Sequence, residues 1–364
     1  MTIDNRMLWI RNLDMLDAAE STIRLNYEVT SEKDISGLLS YESDKIRFHC
    51  ATRKNKSDSN SLYYLNIKVP DPLVFNESKQ YTKKGYYLMS GLAGEMTLLL
   101  GLFFRAFFNI DAVIYNISSD YPVRIDLDKK KICNAKKENR EFSFLSEVEY
   151  YSKLDDFEDI LDMVRGLPTN KHHKFVLSLQ NYSESLYYMP YDGELSYIKL
   201  VSAIEVLSSG FRLDEKDDLK HINKVIDYIE NIGQDEELDE YKVLLSHRKS
   251  QLKFIRFIEQ YSEGFFEQKK DEKHNNLYLS VEKLQQILKR IYRARSNYLH
   301  GGQKMYISRY STLWSEYDFD PSIGLMIDKK KFDNNEKLPL VSSFELLVRY
   351  CLLKYLEENS SVKF

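Results

Sequence analysis

Residues 277–302 read LYLSVEKLQQILKRIYRARSNYLHGG and restrict the fold more tightly than any other stretch of the chain. Leu277, Val281, Leu284, Leu288, Ile291 and Tyr298 recur every three to four residues, the spacing of an amphipathic helix. At about 100° per residue, Arg295 falls in the middle of that apolar stripe, whereas Lys283, Lys289, Arg290 and Arg293 lie away from it. A guanidinium stays charged at any pH a protein meets. An Arg on a core-facing stripe must therefore be paired, or sit at an interface or a site. His300 closes the helix, and Gly301-Gly302 stops it.

The chain around this helix has 364 residues, enough for two domains with separate cores. Hydrophobic content of 43% with 30% charge is ordinary for a globular protein. A net charge of -4 gives no general grip on nucleic acid, so any RNA contact needs a local basic patch. Cys50, Cys133 and Cys351 are far apart and lack ligand spacing, which predicts reduced thiols in a cytoplasmic protein. The first residues, MTIDNRMLWIRNLD, lack the apolar core of a signal peptide. The most apolar segment, 96–110, is interrupted by Arg105 and falls short of the roughly 20 residues that span a bilayer, so a buried helix and no membrane contact are expected.

The hydrophobic period changes once along the chain. Up to about residue 155 it is mixed, which predicts an α+β domain over 1–155. Strands are expected at 21–29, 45–52, 62–69, 112–117 and 123–127, a polar hairpin loop at 53–61, and a helix at 90–108. Helical spacing then dominates, which predicts an all-α domain over 156–364 with an irregular insertion at about 303–340. Its helices are expected at 157–165, 171–188, 193–209, 219–232, 237–261, 277–302 and 342–357, the last capped by Ser342 or Ser343 with Glu345 in its first turn.

With these helices laid out, RARSNYLHGG at 293–302 resembles the signature of HEPN domains, helical modules marked by an Arg, four to six residues, then a His. Tyr292, Arg295, Ser296, His300 and Gly301 are similar to the pattern of the ApeA-like branch of that family, which is associated with prokaryotic anti-phage defence. Ala203-Ile204-Glu205-Val206-Leu207 loosely matches an earlier family helix, and 344–356 matches a closing one, so the resemblance covers about 170–364. Many nuclease members carry Asn, Asp or His directly after the Arg. Ser296 stands there in this chain, with Asn297 one step later. The resemblance implies a HEPN-type bundle and a toxin-like endoribonuclease acting on RNA such as tRNA, set off by a phage-derived or partner trigger. It also implies a homodimer formed through the 277–302 helix.

The residue types suit that chemistry. RNA carries its own nucleophile, the 2′-hydroxyl. Cleavage without metal needs a group to move a proton and a cation to stabilise charge on the phosphate. His300 suits the first task and Arg295 the second, giving a 2′,3′-cyclic phosphate and a 5′-hydroxyl. Ser296, Asn297, Tyr298, Arg293 and Glu205 are the supporting candidates for RNA binding. Five positions on an ideal helix turn through about 140°, so either the helix loosens at His300 or a second copy completes the site. The bland alternatives are an Arg295 salt-bridged to a carboxylate such as Glu205, and a His300 that merely caps the helix. The alternative function is of a different class: a catalytically silent HEPN-like binding or dimerisation module that recognises a ligand or partner.

Other constellations carry less. Asp71, Glu77 and Lys79 resemble a metal-nuclease carboxylate set but lie in a Pro- and Asn-bearing loop, and Asp126 and Asp128 read as a strand end. His172-His173 has no ligand set near it in sequence, so no metal is expected. No phosphate-cradling glycine loop is present, and no cofactor is expected. His247, Arg248, Lys249, Lys253 and Arg256 read as a solvated helix face or an RNA-tracking one.

Overall fold

The structure, a computed structural model, describes residues 9–11, 13, 17, 22–31, 41–50, 61–70, 91–116, 122–126, 157–190, 192–214, 220, 224, 235–267, 281–305, 326–327, 330–331 and 338–362. The chain divides into two compact units. One comprises Met1–Arg140, Tyr151–Pro190 and Leu356–Phe364, and the other Glu141–Tyr150 and Tyr191–Tyr355. An antiparallel sheet with a helix comes first, and a mostly helical region of packed helices follows. The expected α+β-then-helical order is the observed one.

In the first unit, strands β1 (Thr22–Ser31), β2 (Tyr41–Glu42), β3 (Ile46–Cys50), β4 (Ser61–Pro70), β5 (Phe108–Asn116) and β6 (Pro122–Asp126) form one sheet. Their order is β2-β3-β4-β1-β5-β6, and every neighbouring pair is antiparallel. Strict alternation builds β4: Tyr63, Leu65 and Ile67 are buried while Leu62, Tyr64, Asn66 and Lys68 are half-exposed. Val29 of β1 lies opposite Tyr63, and a bulge at Glu28/Val29 shifts the register of β1 against β5. One edge strand has two residues; the other, β6, begins with Pro122 and carries exposed Arg124 and Asp126, features that discourage pairing with another chain.

Helix α1 (Gly91–Phe104) packs on β5 and on α3, and all its residues but Phe103 are buried. The sequence pattern runs it to Phe108; the helix instead stops at Phe104. Arg105 takes a left-handed φ of 53°, and the chain turns so that Phe108 starts β5. Gly101 fits this turn closely, because an added Cβ would lie 3.1 Å from the Ala106 carbonyl oxygen. Helices α2 (Phe157–Arg165) and α3 (Thr169–Tyr188) belong to this unit too, although their helical period places them after residue 156. Phe157 of α2 meets Phe103 edge-on at 5.5 Å.

One polar contact lies at the centre of that apolar packing. Glu95 of α1 and His172 of α3, both fully buried, share a hydrogen bond of 2.6 Å between Oε1 and Nε2. The other carboxylate oxygen accepts the Ile10 backbone N–H at 2.8 Å, and Trp9 meets the His172 ring edge-on at 5.9 Å. Arg11 donates to Thr169 Oγ1. Residues 9–11 are thus fixed against α1 and α3 by named bonds.

The second unit holds α4 (Gly193–Ser208), α5 (Asp235–Tyr261), α6 (Leu284–Gly301), a two-residue ladder of β7 (Met326–Ile327) with β8 (Lys330–Lys331), and most of α7 (Val341–Asn359). Asp192 caps α4 by accepting the Leu195 N–H at 2.9 Å. Tyr197 of α4 stacks on Phe344 of α7 at 5.0 Å and 13°, and its hydroxyl donates to the Pro339 carbonyl. Phe257 and Tyr261 of α5 lie 5.8 and 5.5 Å from Tyr355, the hydroxyl of which burial pushes up to about 12. Cys351 is a free buried thiol, held protonated by its surroundings. The β7–β8 ladder is a departure from the irregular segment expected there.

Ser342 does not cap α7. The helix starts one residue earlier, Ser342 Oγ is buried with no partner among the described residues, and Glu345 lies beyond the first turn. Pro339 disfavours helical backbone only at the residue before it, so the helix can begin two residues after it. The expected helix at 219–232, the loop at 53–61 and the Asp71, Glu77 and Lys79 set lie almost wholly outside the described residues.

Glu95→Ala strands both His172 Nε2 and the Ile10 N–H in the core. It is expected to lower the unfolding free energy by about 3–5 kcal/mol, the cost of removing one partner of a buried pair. Glu95→Gln, which keeps an acceptor, should lose less than half of that. Urea unfolding of the two variants measures both, and a loss under about 1 kcal/mol for Glu95→Ala would show the bond to be dispensable.

Candidate functional site

Helix α6 is built by its buried positions. Leu284, Ile287, Leu288, Ile291 and Tyr292 face the core, and Arg295 is the next position along the same row, four residues after Ile291 and three after Tyr292. Val281 departs from the expected stripe: it is 60% exposed, in a 3-10 turn (Val281–Lys283) ahead of the helix. Leu277 lies outside the described residues.

Arg295 is paired inside its own unit. Its Nη2 donates to Glu205 Oε2 of α4 at 2.7 Å, with the two side chains 19% and 23% exposed. Glu205 reaches the seam because Ala203, Ile204 and Leu207 are buried around it and anchor that turn of α4. Tyr292 donates its hydroxyl to the same carboxylate. Burial is the main reason this phenol is held far above the ordinary tyrosine range. The Glu205 charge and hydrogen bond add to the shift, and Arg295 opposes it. The guanidinium carbon lies 6.0 Å from the Tyr292 ring centre, and that ring packs against Phe254 of α5 at 5.4 Å. Arg295 Nε is buried and has no acceptor among the described residues.

The end of α6 is arranged differently. The helix continues without a break through His300 to Gly301. Gly302 then takes a left-handed φ of 63°, its N–H donating to the Tyr298 carbonyl at 3.1 Å and Gln303 N–H donating to that of Asn297 at 3.2 Å. Backbone groups therefore cap the helix, and His300 is not needed for it. The loosening expected at His300 does not occur. Arg295 and His300 point about 140° apart and are separated by about 7.5 Å along the axis, as an unbroken helix dictates.

His300 is exposed, and its ring meets His247 of α5 edge-on, with centres 5.9 Å apart and planes at 73°. Both rings stand on the solvent side of the α5–α6 packing. Arg293 and Asn297 are also exposed, Ser296 and Tyr298 half-buried, and Leu299 is 47% exposed. The last turns of α6 thus leave the core and present polar groups with one apolar side chain among them. Lys253 of α5 donates to the Ser209 carbonyl just after α4 at 3.0 Å, and Arg256 pairs with Glu259 within α5.

Sequence reasoning named Glu205 both as a supporting residue and as the carboxylate that would pair with Arg295. The geometry brings those two together, with Tyr292 as third member. It does not bring Arg295 and His300 to one point within a single chain. The His247–His300 contact went unread; the only local signal was His247 at the head of a basic cluster. Glu95–His172 escaped as well, because the partners are 77 residues apart. Burial, reinforced by His172 and Arg11, pushes the neighbouring His173 imidazole below its ordinary value. Among the described residues, no three His, Cys, Asp or Glu side chains converge as a metal site requires. Nor is any helix of the described residues long and apolar enough to cross a membrane. No protein-family model, curated protein or solved structure matches the chain.

Two measurements test this arrangement. In a double-mutant cycle of Glu205→Ala and Arg295→Ala, the pair should show a coupling of about 1.5–3 kcal/mol, as for hydrogen bonds to charged groups. Additive losses would mean that the pair contributes nothing. Tyr292 should make stability fall in alkali. An unfolded tyrosine ionises near pH 10, whereas folded Tyr292 keeps its proton higher. The contribution is therefore full below about pH 10 and is lost as pH rises through the folded value. Tyr292→Phe should flatten that loss in unfolding curves collected between about pH 8 and 11.

Proposed function

We propose that this protein is a metal-independent endoribonuclease of HEPN type, in which His300 moves a proton and Arg295 stabilises charge on the phosphate. The observation that carries the reading is the pair of settings on one helix. A fixed cation lies on the seam, oriented by a carboxylate, and an exposed imidazole lies at the capped end. Attack of the 2′-hydroxyl needs a proton acceptor that is uncharged near neutrality, which an imidazole supplies. Bonding to Glu205 leaves Arg295 with further N–H groups for phosphate, since a guanidinium carries five.

The 140° divergence within one chain favours a site completed by a second copy. A two-fold axis along the exposed end of α6 would set Arg295 of one copy towards His300 of the other, giving a homodimer with a shared cleft. Half-exposed Tyr298 and exposed Leu299 give that surface an apolar component. The setting proposed is cytoplasmic, with release of a toxic activity against structured RNA such as tRNA on a phage-derived or partner signal.

The Glu205–Arg295 bond favours a second reading. A cation neutralised within one unit suits a silent module that binds a ligand or partner through α6. Expression of wild type, Arg295→Ala and His300→Ala separates the two. The ribonuclease reading expects growth arrest and EDTA-resistant cleavage with cyclic-phosphate ends in wild type, and a loss of at least about 100-fold in each variant. Intact RNA with equal growth in all three would select the binding module. Light scattering that finds an active monomer would remove the shared cleft.

A further inference from the structure

We propose that His247 is the second proton-transfer group of the site, the acid that protonates the departing 5′-oxygen while His300 accepts the 2′-hydroxyl proton. This rests on the ribonuclease reading and extends it to a residue outside the Arg–His motif. The chemistry asks for two groups. When the 2′-oxygen bonds to phosphorus, the bond from phosphorus to the 5′-oxygen breaks, and an alkoxide leaves poorly unless it receives a proton. A lone imidazole that has taken the nucleophile's proton stands on the attacking side, whereas the leaving oxygen lies in line on the opposite side of phosphorus. Arg295 cannot serve as the acid, because a guanidinium does not give up its proton.

The fold supplies the second imidazole. His247 lies two turns before Phe254, the residue that packs on Tyr292 and fixes α5 against α6, and it presents its ring to that of His300 at 5.9 Å between centres. Both residues are exposed, so a phosphodiester can approach both rings from solvent. The charged groups nearest in the chain are Arg248, Lys249 and Lys253 on α5, and Arg293 and Lys304 around the end of α6. From α4 comes Glu205, already bound to Arg295 and Tyr292. A mainly cationic surround attracts the phosphate.

The test is the pH–rate profile of RNA cleavage by the full chain in EDTA, for wild type, His247→Asn, His247→Gln and His300→Asn. Wild type should give a bell, rising as the base loses its proton and falling as the acid does. The His247 variants should be slower by about 100- to 10,000-fold, without the alkaline fall. On an RNA whose 5′-oxygen at the cut is replaced by sulphur, a leaving group that needs no proton, they should recover most of that loss. His300→Asn should stay slow on both substrates. His247 variants that keep the wild-type rate and bell while His300→Asn is inactive would overturn the pair and leave the ribonuclease reading intact. Slow variants that the sulphur substrate does not rescue would also overturn it, as a merely structural His247 predicts. A wild type that leaves RNA whole would overturn both readings together.

Discussion

A charge that no change of pH can remove lies on the seam of the second unit, and the arrangement around it follows from that. Arg295 occupies a core-facing position of α6, so α4 must bring a carboxylate to it. The same carboxylate takes the Tyr292 hydroxyl, and the Tyr292 ring is then placed against Phe254 of α5. Three helices are fixed to one another through a single ion pair and its dependants. Apolar residues of equal volume would do this at no greater cost, since withdrawing two charges from water offsets most of their attraction. The guanidinium is held by one nitrogen, with another buried and unbonded among the described residues.

The first unit shows the same device with different chemistry. Glu95 stands in a helix otherwise buried among Leu, Met and Phe, and it satisfies both His172 and the backbone of Ile10. Packing of so apolar a helix is permissive about register, because any row of leucines presents much the same surface. Two directional bonds from one carboxylate select a single seating of α1 against α3 and attach residues 9–11 to it. The difference from the α4–α6 seam is reach. Glu95 and His172 are fully enclosed, whereas Arg295 and Glu205 keep about a fifth of their surface in contact with solvent.

Local periodicity carried most of the fold. Alternation at 62–69 is β4, and helical spacing locates α2, α4 and the buried face of α6 to within a residue or two. Fixed charge also proved legible: an Arg on an apolar stripe demands a carboxylate, and Glu205 already stood on a helix that could supply one. What periodicity misses is any event that depends on one residue's backbone or on a distant partner. The left-handed turn at Arg105 ends α1 inside an apolar run, where composition gives no stop. Val281 continues the stripe by spacing yet precedes the helix, so its side chain finds no core. Ser342 has the chemistry of a cap but falls one residue too late. Glu95–His172 and His247–His300 join residues far apart in sequence, and a pattern read along the chain cannot announce them.

Helix α6 has to meet two opposed demands, and its length is divided between them. Its first turns are buried and set the angle to α4 and α5. Its last turns are exposed, which deprives them of packing that would hold them helical. The division falls at Tyr292 and Arg295, the last positions with strong contacts to other helices. Beyond them the helix is maintained by its own backbone and by the two cap bonds that Gly302 permits, since a left-handed residue there suits glycine. The His247 ring, arriving from α5, is the one aromatic contact on that terminal turn among the described residues. Placing an imidazole at such an end gives it solvent access and a fixed backbone at once. A loop would supply the first without the second, and the buried middle of the helix the second without the first.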